Sequence, residues 1–272
     1  MISDDGDINM RYAVVTGCCG GMGYLTSKKL AENGYTVFGL DIREPDDTDS
    51  FTFVKTDLSD PDSINEACKK ISDITEEIDC IIHMAGIYDL NSLAEMSDED
   101  FVRIFEVNLF SVYRVNRLFI PYIRPGGRIV ITSSELAPLS PLPFTGIYGV
   151  TKSAVEKYAL SLRMELQLIG IDVIILRPGA VDTGLLDVST KRLDDFCSNT
   201  AFYRFSSERF RNIVDRVEAR KVAPEKAAAV VMKALEVKRP KIIYSINRNP
   251  LLLMMNALPL RLQNDIIRRI LL

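Results

Sequence analysis

A tyrosine and a lysine stand four residues apart in Tyr148-Gly-Val-Thr-Lys152, with a serine pair, Ser133-Ser134, upstream. Residues at this spacing share one helix face, so a phenol and an ammonium can enter one site. A phenol with a reference pKa of about 10 is a poor base at neutral pH, and an adjacent ammonium stabilises the phenolate and brings its pKa toward the working range. That chemistry is proton transfer to or from an oxygen.

A second cluster lies near the start of the chain, Thr16-Gly17-Cys18-Cys19-Gly20-Gly21-Met22-Gly23. Gly17, Gly21 and Gly23 permit a tight turn, close approach of backbone N–H groups to a pyrophosphate, and contact between helix and strand, while the following helix N-terminus favours negative charge. Asp41 follows 24 residues beyond Gly17, where a carboxylate can accept hydrogen bonds from both ribose hydroxyls of an adenosine. A 2′-phosphate would meet like charge there, so the position points to NAD rather than NADP, although Arg43 is within reach and Asp41 also suits a plain turn. Asp57 is a candidate for the adenine amino group, or only a helix cap.

His83 is the single histidine and no G-x-S-x-G elbow exists, which argues against a Ser-His-Asp hydrolase. We place it at a strand end beside the adenine half of the cofactor. The five cysteines are odd in number, with no C-x-x-C pair and no histidines at ligand spacing, so reduced thiols and no metal are expected. Cys18 and Cys19 sit at a helix N-terminus, which can lower a thiol pKa, but they read first as small residues tolerated in a tight turn.

These groups need a scaffold, and the pattern supplies one. Apolar runs at Tyr12–Thr16, Thr36–Leu40, Phe51–Lys55, Asp79–His83, Arg128–Thr132, Asp172–Leu176 and Lys241–Ile246 read as strands. Helical stretches at Tyr24–Asn33, Asp62–Ile74, Asp98–Ile123, Tyr148–Leu168 and Pro224–Val237 alternate with them. Continuous β-branched strands bounded by helices signal an α/β fold, a parallel sheet covered on both faces. Pro125-Gly126-Gly127 is expected to end the long helix, and residues 184–222, with scattered aromatics, to form a lid.

The 272 residues, 47% hydrophobic and 26% charged, suffice for a large core in one domain. A net charge of −4 offers no clustered positive field for nucleic acid. Met1 to Arg11 is acidic and polar, unlike a secretory signal, and no apolar run of about 20 residues exists, so a cytoplasmic protein is expected.

With its motifs assembled, the chain resembles the short-chain dehydrogenase/reductase family over roughly Arg11 to Ile246. T-G-x-x-x-G-x-G matches at Thr16 to Gly23, Y-x-x-x-K at Tyr148 and Lys152, the strand-end serine at Ser134, the helix asparagine at Asn108, and the P-G turn at Pro178-Gly179 followed by Thr183. The resemblance implies a Rossmann-type doubly wound sheet with Tyr148 as general acid/base and Lys152 binding the nicotinamide ribose. Ser134 would hydrogen-bond the reacting oxygen, Asn108 hold a water in a relay through Lys152, and Thr183 contact the carboxamide. Met22, Leu58, Ala85 and Gly86 complete the cofactor-binding set with the glycines, Asp41, Asp57, Pro178 and Gly179.

Two departures stand out. The family's N-N-A-G reads His83-Met84-Ala85-Gly86, and Ser134 and Tyr148 are 14 positions apart, one more than the commonest spacing, which leaves Ser133 as an alternative and Glu135 at the substrate entrance.

Among family members the apolar loop Leu136–Phe144 and the aromatic lid look most like hydroxysteroid and retinol dehydrogenases, implying a bulky apolar secondary alcohol or ketone. Lys191, Arg192 and Arg204 leave a small polar substrate open, and a non-catalytic NAD(H)-sensing protein is the rival from another class. Family practice implies a homodimer or homotetramer through the helices at Asp98–Ile123 and Tyr148–Leu168. The domain is taken as 11–246, with an amphipathic tail at 247–272. There, Leu262, Ile266, Ile267, Ile270 and Leu271 form an apolar stripe with Arg261, Arg268 and Arg269 outside it. The stripe is expected to pack within the protein or oligomer, in preference to a peripheral membrane contact.

Overall fold

The computed structural model describes residues 10–47, 49–218 and 220–272; most of the acidic N-terminal segment, residues 1–9, lies outside the described residues. The first half runs β1 (Arg11–Thr16), α1 (Gly21–Glu32), β2 (Tyr35–Asp41), β3 (Thr52–Lys55), α2 (Pro61–Ser72), β4 (Ile78–His83), α3 (Asp98–Phe105), α4 (Ser111–Phe119) and β5 (Ile123–Thr132). The second half runs α5 (Gly146–Leu166), β6 (Asp172–Pro178), α6 (Gly184–Asn199), α7 (Arg204–Glu218), α8 (Glu225–Glu236), β7 (Ile243–Ile246), α9 (Pro250–Asn256) and α10 (Leu260–Leu271).

The seven strands form one parallel sheet in the order β3-β2-β1-β4-β5-β6-β7. Side chains alternate across it. Val14, Ile81, Ile129, Ile131, Val173 and Ile175 face α2, α4 and α5, whereas Ala13, Val15, Ile82, Val130 and Ile174 face α1 and α8. Both faces are therefore buried, and the Rossmann-type single domain has its strand order reversing between β1 and β4, where a crevice opens at the carboxyl ends.

Three elements depart from the sequence pattern. Helix α1 begins at Gly21, with Gly20 as its N-cap, three residues before the expected start at Tyr24, because the glycine-rich turn already leads the backbone into the helix. The expected single helix from Asp98 to Ile123 is divided by a π turn at Glu106–Phe110 and stopped by Pro121, which has no N–H to donate. Pro125-Gly126-Gly127 lies inside β5 as a bulge: pairing jumps from Ile78 opposite Ile123 to Cys80 opposite Arg128, with Gly126 at φ +86°.

The segment 184–222 folds as α6 and α7. Ile267 and Leu271 of α10 pack with Phe210 and Val214 of α7 and Leu193 and Phe196 of α6. The expected apolar stripe is split: Leu262 and Ile270 are exposed, while Gln263 is buried and donates from Nε2 to the Leu258 carbonyl, 2.7 Å away. No helix among the described residues is long and apolar enough to cross a membrane.

Candidate active site

At the carboxyl end of β1, Gly17 turns at φ +73°, and a Cβ there would lie 2.7 Å from the Ala85 amide. A Cβ on Gly23 would collide with the Gly17 carbonyl, and one on Gly21 would press on the Thr183 methyl at 3.0 Å. The turn thus touches the β4 and β6 loops through bare backbone, which keeps amides at the mouth of the crevice.

Asp41 ends β2 and is buried. Its Oδ2 accepts from the Cys19 amide at 3.0 Å and its Oδ1 from the Arg43 amide at 3.1 Å, while the exposed Arg43 guanidinium stands 3.9 Å off. A carboxylate offers about four lone-pair positions, so two remain for hydroxyls. Asp57 has one oxygen engaged by the Ser59 amide and hydroxyl, at 2.9 and 2.6 Å, and the Leu58 side chain enters the core beside α2.

Helix α5 places Tyr148 and Lys152 on one face, with Nζ 5.8 Å from the phenol ring centroid. Ser134 hydrogen-bonds the phenol. Ser133 turns the other way, donating to Glu156 Oε2 at 2.9 Å. Its neighbour thus faces the tyrosine while Ser133 joins a buried tie with Arg177, which holds β6 to α5. The Tyr88 ring meets Tyr148 edge-on at 4.6 Å.

The charge balance differs from the expected ammonium-assisted phenolate. Burial pushes the Tyr148 phenol up to about 12 against the pull of the Ser134 hydrogen bond, with the Glu135 carboxylate adding to the rise. Burial also brings Lys152 down to about 8, and its Nζ is directed to the Thr132 carbonyl at 3.0 Å. Desolvation is thus the largest cause of both shifts.

Asn108 lies in the π turn, its amide spanning the Ile87 backbone: Oδ1 accepts from the Ile87 N–H at 2.7 Å and Nδ2 donates to its carbonyl at 2.9 Å. Nδ2 also donates to Thr151 Oγ1 at 3.0 Å. A Cβ on Gly86 would stand 3.3 Å from both Asn108 Oδ1 and Lys152 Nζ, so this glycine leaves open the space they share.

His83 corrects the expectation that it borders the adenine half. Strand alternation turns it to the α4 face, where its Nε2 pairs with Asn116 Oδ1 at 2.8 Å, and burial lowers it to about 4. Asn116 in turn donates to the Tyr158 hydroxyl at 3.2 Å, and Thr132 donates to the Met84 sulfur at 3.3 Å. The pair therefore ties β4 outward by its own contacts, His83 to α4 and Met84 to β5.

A cavity of about 170 Å³ joins these groups. Its lining includes Ser134, Tyr148, Lys152, Gly86, Pro178, Gly179, Thr183 and Met22 together with the apolar Leu136, Leu142, Phe210, Ile213, Val214 and Leu252. Leu252 belongs to α9, which is fixed where the Asn249 amide donates to Glu135 Oε2 at 2.7 Å. Neither Leu252 nor Tyr88 was marked by sequence, since a lone leucine or tyrosine carries no spacing signal. The family model for short chain dehydrogenases matches residues 11–194.

The chain belongs to the short-chain dehydrogenase family. It is a dehydrogenase/reductase of the kind that uses NAD(H) or NADP(H), acts on small molecules and commonly forms oligomers. A 3-ketodihydrosphingosine reductase of Bacteroides thetaiotaomicron is 25% identical over 228 residues, 84% of each chain. Estradiol 17-beta-dehydrogenase 2 of Mus musculus is 26% identical over 200 residues, 68% of this chain and 52% of that one. A short chain dehydrogenase family protein from Francisella tularensis, 22% identical, shares the fold at a TM-score of 0.73 over 88% of this chain and 98% of that chain.

The crevice fits the family's dinucleotide on its own terms. The turn at Gly17, Gly21 and Gly23 admits no Cβ without a clash or a tight contact, Asp41 has acceptor positions to spare, and Gly86 opens the space beside Lys152.

Proposed function

We propose that this dehydrogenase/reductase interconverts a secondary alcohol and its ketone on a bulky, apolar molecule, with NAD(H) rather than NADP(H). The observation that carries the reading is the cavity itself: Ser134 and Tyr148 contribute polar groups to a lining that includes Leu136, Leu142, Phe210, Ile213, Val214 and Leu252. Lys191, Arg192 and Arg204, the residues that favour a small charged substrate, are absent from its lining. Arg192 instead donates to the buried Asp89 at 2.5 Å. The sphingoid and steroid substrates named for two relatives are likewise large and apolar.

A bound nicotinamide would supply the carbon that gives or takes hydride. Ser134 donates a hydrogen bond to the substrate oxygen, and Tyr148 exchanges the proton on that oxygen. A phenol held protonated at neutral pH is set to donate, which is the direction of carbonyl reduction. Asn108 and Lys152, whose polar atoms both border the space left by Gly86, form the route by which the phenol is reprotonated.

Asp41, with lone pairs free for two ribose hydroxyls and negative charge against a 2′-phosphate, supports the nucleotide preference. Exposed apolar side chains on α4 and α5, Tyr113, Val150 and Met164, support assembly into a homodimer or homotetramer through these helices.

The test is a turnover screen of steroid, sphingoid and simple secondary alcohols and ketones, with each nucleotide, for wild type and Asp41→Ala. We expect the highest kcat/KM on the bulky apolar compounds and with NAD(H), and a narrowed nucleotide preference in the variant. Equal use of NADP(H) by the wild type would show that Arg43 overrides the carboxylate, and NADH binding without turnover on any compound would favour a sensing protein.

A further inference from the structure

The adjacent cysteines of the glycine-rich turn and the carboxylate ending β2 come together in a way that ribose recognition does not require. Cys18 Sγ and Cys19 Sγ are 3.8 Å apart, and one Asp41 oxygen completes a triangle whose atoms all lie within 4.8 Å of one another. Two thiolates about 2.3 Å from a tetrahedral zinc ion stand about 3.8 Å apart, so the sulfur pair already has the separation a chelated ion needs.

The surroundings keep the pair in place. A Cβ on Gly39, in the middle of β2, would lie 2.7 Å from Cys18 Sγ and 2.6 Å from the Phe51 ring, so this glycine makes the room that the Cys18 side chain fills. Cys18 is buried, whereas Cys19 is partly exposed, so the triangle is reached from solvent on the Cys19 side. The Cys19 thiol also lies 3.0 Å from the Arg43 carbonyl, a further oxygen at the same edge.

We propose that Cys18, Cys19 and Asp41 form a site for a thiophilic divalent cation of the zinc and cadmium class, and that the ion and the cofactor's adenosine ribose exclude one another. Two sulfurs and one oxygen select such an ion over magnesium or calcium, which prefer all-oxygen shells. As the ion binds, each thiol releases its proton to solvent and the carboxylate binds as it stands, leaving a position for water. No change of oxidation state is involved. Free metal would then act as a brake on this dehydrogenase by occupying the acceptor that the ribose needs. The exclusion rests on the reading of Asp41 as the ribose acceptor; the metal site does not.

The experiment titrates the ligand-free, phosphine-reduced protein with cadmium chloride, following the thiolate-to-cadmium charge-transfer absorption, and with zinc chloride by calorimetry. We expect one equivalent to bind, with affinity falling at least about tenfold in Cys19→Ser and in Cys18→Ser. Cys19, being partly exposed, keeps the test readable if the buried Cys18 variant folds poorly. Apparent NADH dissociation constants, measured by fluorescence at increasing zinc, should rise in proportion to free metal in wild type and stay flat in Cys19→Ser. Cadmium binding of undiminished affinity in Cys19→Ser overturns the site. Binding lost in Cys19→Ser, with wild-type NADH affinity indifferent to zinc, overturns the exclusion. Nucleotide affinities of Asp41→Ala without metal report separately on the ribose reading.

Discussion

Replacing Tyr148 with phenylalanine removes a single oxygen and leaves the ring that meets Tyr88 edge-on at 4.6 Å, so the shape of the cavity is retained. What disappears is the proton that the reacting oxygen exchanges and the hydrogen bond to Ser134. The Leu136 amide still donates to Ser134 Oγ at 3.2 Å, so only the serine's hydroxyl proton loses its acceptor, at a cost to stability of about 1 kcal/mol. A positioned general acid or base contributes about 10²- to 10⁴-fold, which corresponds to about 2.7 to 5.4 kcal/mol of barrier. We expect the whole of that loss in kcat. The NADH dissociation constant should stay close to wild type, because the glycine turn, Asp41 and Lys152 are unchanged. The assay pairs initial rates of NADH oxidation on a saturating ketone with a fluorescence titration of NADH binding. A variant that turns over within tenfold of wild type refutes Tyr148 as the acid/base, and a rate loss matched by lost NADH affinity reassigns it to cofactor binding.

Ser134→Ala should cost about 2.7 to 4 kcal/mol of transition-state stabilisation, read as kcat/KM. Ser133→Ala should instead lower stability by about 1.5 to 3 kcal/mol through its bond to the Glu156 carboxylate, and the opposite pattern would exchange the two roles. His83, the only histidine, gives a clean proton NMR titration, expected near 4 in the folded chain against about 6.5 unfolded. Between those values the unfolded chain binds the extra proton, so stability is full above about pH 6.5 and falls by about 3 kcal/mol as pH drops to 4. A native midpoint above 6 would contradict the burial argument. Deleting residues 250–272 removes Leu252 from the cavity wall and uncovers Phe210 and Val214, and should raise KM for apolar substrates by about tenfold while leaving sedimentation with anionic vesicles little changed. Vesicle binding that depends on the tail, with kinetics and assembly intact in the truncated chain, would make α9 and α10 a membrane contact.

Much of this protein could be read from local pattern because its signals are short-range. The β-branched strands, the glycine turn after β1 and the Tyr148–Lys152 spacing each follow from backbone sterics or from helical period, and such features are complete within one or two turns of chain. Tertiary structure decided what depends on neighbours distant in sequence. Which of two adjacent serines faces Tyr148 was set by Glu156 on α5 capturing the other, and His83 became a tie to α4 because strand alternation turned it to that face. The direction of the Tyr148 and Lys152 shifts came from burial, a property of the packed cavity that no spacing encodes. The tail shows the same division: a helical stripe was visible in Leu262 to Leu271, but α7 and α6 determined which of its residues are covered, leaving Leu262 and Ile270 to solvent and burying Gln263.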